Sequence, residues 1–406
     1  MGNYCCRKRD FQVENYDQIT ETIKERINAI SFQDNSEIHQ IRSRKEILAS
    51  YQILKKIGQG LFSKVYLAND ATGKKVALKL IKKSNFVTKE TIQKIIIEKE
   101  ILKIVDHDNI LKLYRTLQTN TRILYVLEYA GKGNLVNLLN IKMRLKPEEI
   151  KFIAAQIIEA LIHIHSKGII YGDLKAENVL LNNKGIVKLC DFNLSGTSSL
   201  LSDTVQGTVN YIAPEVIEGK PRTPKSDFWS LGVLIHLLFY RRFPFKSAHQ
   251  SELFFNVINK NIEPEPRDNR APNELRQLIC DLLIKDPRKR LGDRLQEFVK
   301  HPFFANFDWK RYKEKQDNFN YVADIPSFED ELESNDNQSS DDELEAQLNP
   351  SGSPNKFLYN INGFTYENNI IPSESVSLQL NNIRVKSIDG RSVKEGKSGF
   401  NGDRKQ

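Results

Sequence analysis

Apolar residues change their period along this chain, and the changes divide it. Between residues 14 and 50, Ile19, Ile23, Ile27 and Ile30 recur at helical spacing in a polar background, which predicts one or two helices. From Tyr51 the pattern becomes that of strands. YQILKKIGQG and SKVYLAND predict two strands around a glycine turn, and KKVALKLI predicts a third. Thr88 to Val105 carries a wide apolar face at helical spacing, and ILYVLEYA predicts a further buried strand. Beyond Gly133 the pattern is mainly helical as far as Phe304, as in KPEEIKFIAAQIIEALIHIHSKG and SDFWSLGVLIHLLFY. The reading is an α+β chain, in which a small strand-rich lobe with one main helix precedes a larger, mainly helical lobe.

After Phe304 the periodicity fades. Residues 305–372 mix aromatic with acidic side chains, and Asp324 to Glu345 contains no Lys or Arg, which predicts an exposed loop. Residues 373–406 are polar and serine-rich without a period, the composition of a disordered tail. The expected organisation is an extension over 1–50, a folded unit over 51–304, a tail with an acidic loop over 305–372, and a disordered end over 373–406. No internal repeat is visible.

Composition narrows the partners. Of 406 residues, 39% are hydrophobic and 28% charged, in keeping with a globular core and polar extensions. The longest apolar run, Leu231 to Tyr240, contains His236 and is far too short to cross a bilayer. A net charge of +8 favours anionic partners. The lysines are scattered as on a solvated surface, however, and no aromatic-basic module of a nucleic-acid reader appears, so no nucleic-acid partner is expected. The four cysteines, Cys5, Cys6, Cys190 and Cys280, have neither zinc-like nor disulfide-framework spacing. A reducing, cytoplasmic setting follows, and the N-terminus lacks the apolar stretch of a secretory signal.

The candidate chemistry is that of phosphate. Transfer of a phosphoryl group needs a cover for the phosphates, cations to neutralise them, an aligned acceptor and a group to take its proton. In IGQGLFSKV, Gly58 and Gly60 let the backbone approach phosphate oxygens and Val65 can lie against a base. A glycine turn between strands is commonly only a turn. VALK adds Lys79, inward-pointing on the third strand, with Glu98 on the following helix as its partner; the plainer reading pairs Glu98 with Lys94 or Lys103 on the helix surface. YGDLKAENVLL and KLCDFN complete the set. Asp173 can accept a hydroxyl proton, Lys175 can stabilise the transferring group, and Asn178 and Asp191 offer hard oxygen ligands to magnesium.

In this order the motifs resemble those of a eukaryotic protein kinase domain over residues 51–304. QGTVNYIAPEV resembles the substrate-binding segment ending in Ala213, Pro214 and Glu215. SDFWSLG resembles the segment with the buried Asp227, and DPRKRLG the one whose Arg290 pairs with Glu215. The resemblance implies a bilobal fold, ATP and Mg2+ as cofactors, and protein substrates as partners. It places Glu128 and Ala130 at the adenine hinge with Leu127 as gatekeeper, and Ala77 and Leu180 on either side of the ring. Lys175 and Thr208 match serine/threonine rather than tyrosine kinases. HPFFANFDWKRY, DNFNY and NINGFTYE resemble the C-terminal tail of the AGC group. That implies a nucleotide contact from Phe319, a hydrophobic motif with Ile361 and Phe364, and a tail phosphosite at Thr365. Ser353–Pro354 is a loose match to the proline-directed tail site. An upstream kinase acting on Thr204 in the activation loop, or on Thr365, is implied as a further partner.

Four positions depart from the pattern. Ser63 replaces a loop glycine. Asn193 replaces the glycine after Asp191-Phe192, where Asn is expected to take the positive φ in its stead. Tyr171 and Gly172 replace the His-Arg pair before the catalytic aspartate. With position 172 bare and Gly196 where a lysine would stand, only Lys94 is left to grip a phosphate on Thr204, so activity is expected to depend weakly on it. A scaffold without transfer activity, or a small-molecule kinase, are the competing readings.

Substrate selection is expected to be less basic than in the AGC group. Asn134 and Leu237 stand where acidic residues would hold upstream arginines, and only Glu177 remains. Val205, Val209 and Ile212 would favour an apolar residue after the acceptor. At the N-terminus MGNYCC exposes Gly2 for myristoylation, although Cys6 stands where the motif has Ser or Thr. Cys5 and Cys6 can carry palmitate and Arg7, Lys8 and Arg9 can meet anionic lipid, a combination that predicts membrane association. The plainer reading is a basic tip.

Overall fold

The computed structural model describes residues 50–60, 63–85, 88–119, 121–197, 201, 206–262, 271–292, 294–309, 327, 364 and 366–367. The chain divides into Met1–Ile370 and Ile371–Gln406, and all described residues fall in the first unit. The expected N-terminal helices and lipidation sites Gly2, Cys5 and Cys6 lie outside them. So do Thr204, Val205, Phe319, Ser353, Ile361 and Thr365.

The first lobe is an antiparallel sheet. It is built from β1 (Tyr51–Gln59), β2 (Ser63–Asp70), β3 (Lys75–Lys82), β4 (Leu113–Gln118) and β5 (Arg122–Glu128), in the order β1-β2-β3-β5-β4. A two-residue strand, β8 (Tyr366–Glu367), adds to the free edge of β4, Thr116 facing Tyr366 and Arg115 facing Glu367. Strand addition by the tail was not foreseen from sequence. One helix, α1 (Lys89–Ile104), packs on the sheet. Thr88 caps it, its Oγ1 accepting the N–H of Thr91 at 3.3 Å, while Thr91 Oγ1 accepts the N–H of Thr88. Ile92, Ile95 and Ile96 bury one face of α1 against Ala77, Ile81, Ile123 and Tyr125.

The second lobe is mainly helical. After α2 (Leu135–Ile141), α3 (Pro147–Ser166) runs through its centre and buries Ile150, Ile153, Ile157, Leu161 and Ile164. Pro147 opens it, where the missing N–H costs nothing, and Glu149 accepts the N–H of Lys146 at 2.7 Å. The short strands β6 (Val179–Leu181) and β7 (Val187–Leu189) pair antiparallel. Then follow α4 (Pro214–Ile217), α5 (Pro224–Tyr240), α6 (Gln250–Asn259), α7 (Asn273–Leu282) and α8 (Leu295–Lys300). The core holds Trp229, Phe228, Leu234, Leu278 and Phe298. No helix among the described residues is long and apolar enough to cross a membrane.

Two polar staples tie this lobe together. Arg290, 1% exposed, donates from Nη1 and Nη2 to the two oxygens of Glu215 at 2.7 and 2.8 Å, the pair expected from sequence. Its other donors reach the carbonyls of Ile284 and Lys225, so a buried charge is fully partnered. Asp227 accepts the backbone N–H groups of Tyr171 and Gly172 at 2.9 and 2.8 Å and meets His165 Nε2 at 2.8 Å, fixing the loop that precedes Asp173 from beneath.

Candidate active site

On β3, Ala77, Lys79 and Ile81 share the face opposite Leu78 and Leu80, so the strand's alternation turns Lys79 toward α1. On α1, Glu98 follows Ile95 by three residues and therefore faces the sheet. The two meet, Lys79 Nζ donating to Glu98 Oε1 at 3.0 Å and standing 3.4 Å from Asp191 Oδ1. Burial alone would lower the pKa of Lys79, but the carboxylates of Glu98 and Asp191 outweigh it and hold the ammonium above its ordinary range. Lys103 pairs with Glu100 instead, and Glu98 is only 5% exposed, so it does not lie on the helix surface.

An apolar cage adjoins this ion pair. Ala77, Leu127 and Ala130 belong to one buried cluster, with Val65, Leu180 and Cys190 packed against it. Glu128 donates its N–H to Lys112 O at 2.9 Å, and its carboxylate accepts Lys188 Nζ at 2.7 Å. The N–H of the buried Ala130 has no acceptor among the described residues. Over the cage, Gly58 pairs with Val65 across a register shift in β1 and β2, and the Gly60 N–H closes the turn on Ser63 O at 2.8 Å.

The residues of the loop after Tyr171 converge on Asp173, which is 7% exposed. Its Oδ2 accepts Lys175 Nζ at 2.6 Å and Asn178 Nδ2 at 3.0 Å, and its Oδ1 accepts Thr208 Oγ1 at 3.3 Å. Lys175 Nζ also donates to Thr208 Oγ1 at 3.0 Å, so the loop and the segment before α4 share one hydrogen-bond network. Asn178 spends its Nδ2 on Asp173, leaving its amide oxygen for another partner. Cys190 N donates to Asn178 O at 3.0 Å, which brings Asp191 alongside.

One expectation fails here. The left-handed turn foreseen at Asn193 is not there; Asp191 takes it, with φ of 61°. Phe192, fully buried edge-on to Tyr171 at 5.1 Å, pins the following residue, and the Ser195 N–H closes a turn on Phe192 O at 3.1 Å. Asp191 bears the uncommon conformation because its neighbours over-determine it. Tyr171, replacing a histidine, donates its hydroxyl to Cys190 O, a bond that no local signal foretold.

The protein kinase domain family matches residues 51–304. The chain belongs to the protein kinase family. Over 273 residues this kinase is 35% identical to the RAC serine/threonine-protein kinase of Drosophila melanogaster, covering 66% of the chain and 44% of that relative. It is 33% identical to the cAMP-dependent protein kinase type 3 of Saccharomyces cerevisiae over 273 residues, 66% of the chain and 68% of that relative. Over 304 residues it is 31% identical to the human ribosomal protein S6 kinase alpha-3, 72% of the chain and 40% of that relative. The kinase thus spans less than half the length of two of these three. The first is named a serine/threonine-protein kinase, and the matches together support an AGC-like serine/threonine kinase, as the motifs implied.

Proposed function

We propose that this kinase transfers the γ-phosphoryl group of ATP to serine and threonine hydroxyls of protein substrates, using Mg2+. The observation that carries the reading is the network in which Asp173, Lys175, Asn178 and Thr208 lie within hydrogen-bond reach of one another. Asp173 would receive the acceptor's proton, Thr208 and Lys175 would hold the acceptor in line, and Lys175 would face the charge that develops in transfer.

The residues present fit both cofactors. The unpartnered Ala130 N–H suits the edge of a purine, with the Glu128 carbonyl as the acceptor that the resemblance implies, and Val65, Ala77 and Leu180 suit its faces. Gly58 and Gly60 would admit the phosphates, and Lys79, held by Glu98, would place them. Among the described residues no three carboxylate, histidine or cysteine groups converge, so the cation would rest on Asn178 and Asp191, a sparse oxygen set that suits magnesium completed by phosphate. ATP supplies the phosphoryl group, and the metal neutralises charge as it moves.

The full chain should phosphorylate a generic protein substrate with ATP and Mg2+, and Asp191→Ala should not. ATP binding by the wild type without transfer would instead mark a scaffold. The N-terminal reading stands beside this as part of the proposal. Acylation of Gly2, Cys5 and Cys6 would bring the kinase to a membrane surface, and an upstream kinase would act on Thr204 or Thr365. Fractionation with Gly2→Ala and with Cys5/Cys6→Ser tests the first; unchanged membrane association in both would remove it.

A further inference from the structure

Position 172 has no room for a side chain. Gly172 sits at φ of +81°, and a Cβ there would come within 2.6 Å of Leu194 O and 3.1 Å of Arg222 Nη1. The space is filled from another part of the chain. Arg222, just ahead of α5 and 9% exposed, donates from Nη1 to Gly172 O at 3.0 Å and from Nη2 to Gln206 O.

These contacts join two strips of backbone that the proposed chemistry needs together. Gly172 precedes Asp173, and Gln206 lies two residues before Thr208. Gly172 is held at both of its backbone groups, its N–H by Asp227 Oδ1 at 2.8 Å and its carbonyl by Arg222. Gly207, at φ of +114°, lets the second strip pass close: a Cβ there would lie 3.6 Å from Gly172 O and 3.8 Å from Arg222 Nη2. Burial lowers the pKa of the guanidinium, and the negative charges of Asp227 and Asp173 oppose that effect in part. A planar guanidinium with several fixed donors spans two carbonyls in a way an ammonium does not.

We propose that Arg222 is a positioning residue for phosphoryl transfer. Its guanidinium holds the Gln206–Thr208 strip against the Gly172–Asp173 loop and so sets Thr208 against Asp173 and Lys175. The clamp is built into the fold and requires no added phosphate. Misplacement of an aligned acceptor by even an ångström is costly to rate. Nucleotide binding, which falls to Lys79, Glu98 and the cage, lies outside its reach. This inference rests on the reading of Asp173 as the acceptor's base.

The test compares full-length wild type, Arg222→Met, Arg222→Lys and Asp173→Asn. Each is assayed for kcat/KM on a serine peptide, for the Kd of a fluorescent ATP analogue, and for melting. Arg222→Met should lose about tenfold or more in peptide kcat/KM with nucleotide Kd within about twofold, at temperatures where it is folded, and Arg222→Lys should fall between. Wild-type kcat/KM in Arg222→Met, or nucleotide Kd weakening in step with kcat/KM, would overturn the inference. Should the Met variant not fold, the Lys variant decides. A loss of about threefold or more at unchanged nucleotide Kd upholds the clamp, and wild-type kinetics removes it. Near-wild-type turnover in Asp173→Asn would take away the reading of the site itself. A dead Asp173→Asn beside a fully active Arg222→Met would remove only the clamp.

Discussion

Lys79 Nζ stands 3.0 Å from Glu98 Oε1, with Asp191 Oδ1 3.4 Å away on its other side. A single ammonium therefore connects β3, α1 and the stretch after β7, and its position reports whether all three are in place. Lys79→Met should keep the fold and weaken productive nucleotide placement, and Glu98→Gln should do so less severely. Nucleotide affinity and single-turnover transfer measure both, and unchanged transfer in Lys79→Met would exclude the assigned role.

Asp173→Asn should separate binding from chemistry. Asn keeps the shape, and the Lys175, Asn178 and Thr208 contacts can be partly rebuilt, but it cannot take a proton. Transfer should fall by about 10²- to 10⁴-fold with nucleotide affinity unchanged. Single-turnover assays with the peptide in excess read this directly.

Breaking the Arg290–Glu215 pair should be costly. Arg290 is 1% exposed and Glu215 3%, so removing either leaves a buried charge unpaired, at about 3–5 kcal/mol. Denaturant unfolding of Glu215→Ala should show that loss, and the double variant Glu215→Leu/Arg290→Met should recover part of it.

His236 should make the kinase acid-sensitive. Burial pushes its pKa down from 6.5 to about 4, while its Nδ1 donates to Arg242 O at 2.8 Å. Between those values the unfolded chain holds a proton that the folded chain does not. This contribution to stability is therefore intact above about pH 6.5 and falls as pH drops toward 4, by on the order of 3 kcal/mol at most. His236→Asn should flatten that part of the stability–pH curve.

Peptide selection should lack a strong upstream-arginine preference. Asn134 is committed to capping α2, its Oδ1 accepting the Asn137 N–H at 3.0 Å, and Leu237 packs against the core. Only the exposed Glu177 offers charge, worth little to an exposed arginine. A peptide library selecting two upstream arginines strongly would contradict this. With Arg222 already in place, Thr204→Ala should also keep most of the turnover, whereas a hundredfold loss would show a phosphate doing what the guanidinium is assigned to do.

The tail's contact should matter to the first lobe. Phe364 is fully buried edge-on to Tyr125 at 5.6 Å, and Tyr125 is the register partner of Lys79. Thr116 donates its hydroxyl to Phe364 O. Phe364→Ala should cost about 3–5 kcal/mol of local packing, read as a lower melting temperature and reduced turnover together.

The amino-acid sequence by itself determined the parts whose chemistry is local. The strand alternation that turns Lys79 inward and the helical spacing that sets Glu98 beneath Ile95 each lie within one element, whose backbone period decides which way the side chains point. The Asp173-Lys175-Asn178 run is close in sequence, so its chemistry is legible as a motif without a period. Tertiary structure decided what depends on distant neighbours. The left-handed residue is Asp191 rather than Asn193, because Phe192 is pinned against Tyr171. The tail adds to the sheet where Tyr366 and Glu367 pair with Thr116 and Arg115, and Thr116 also donates to Phe364 O, 248 residues away. The bare position at Gly172 is filled by an arginine 50 residues further on. No periodicity encodes such pairings. They follow from where packing brings the backbone, and a buried carbonyl takes its donor from whichever segment arrives there.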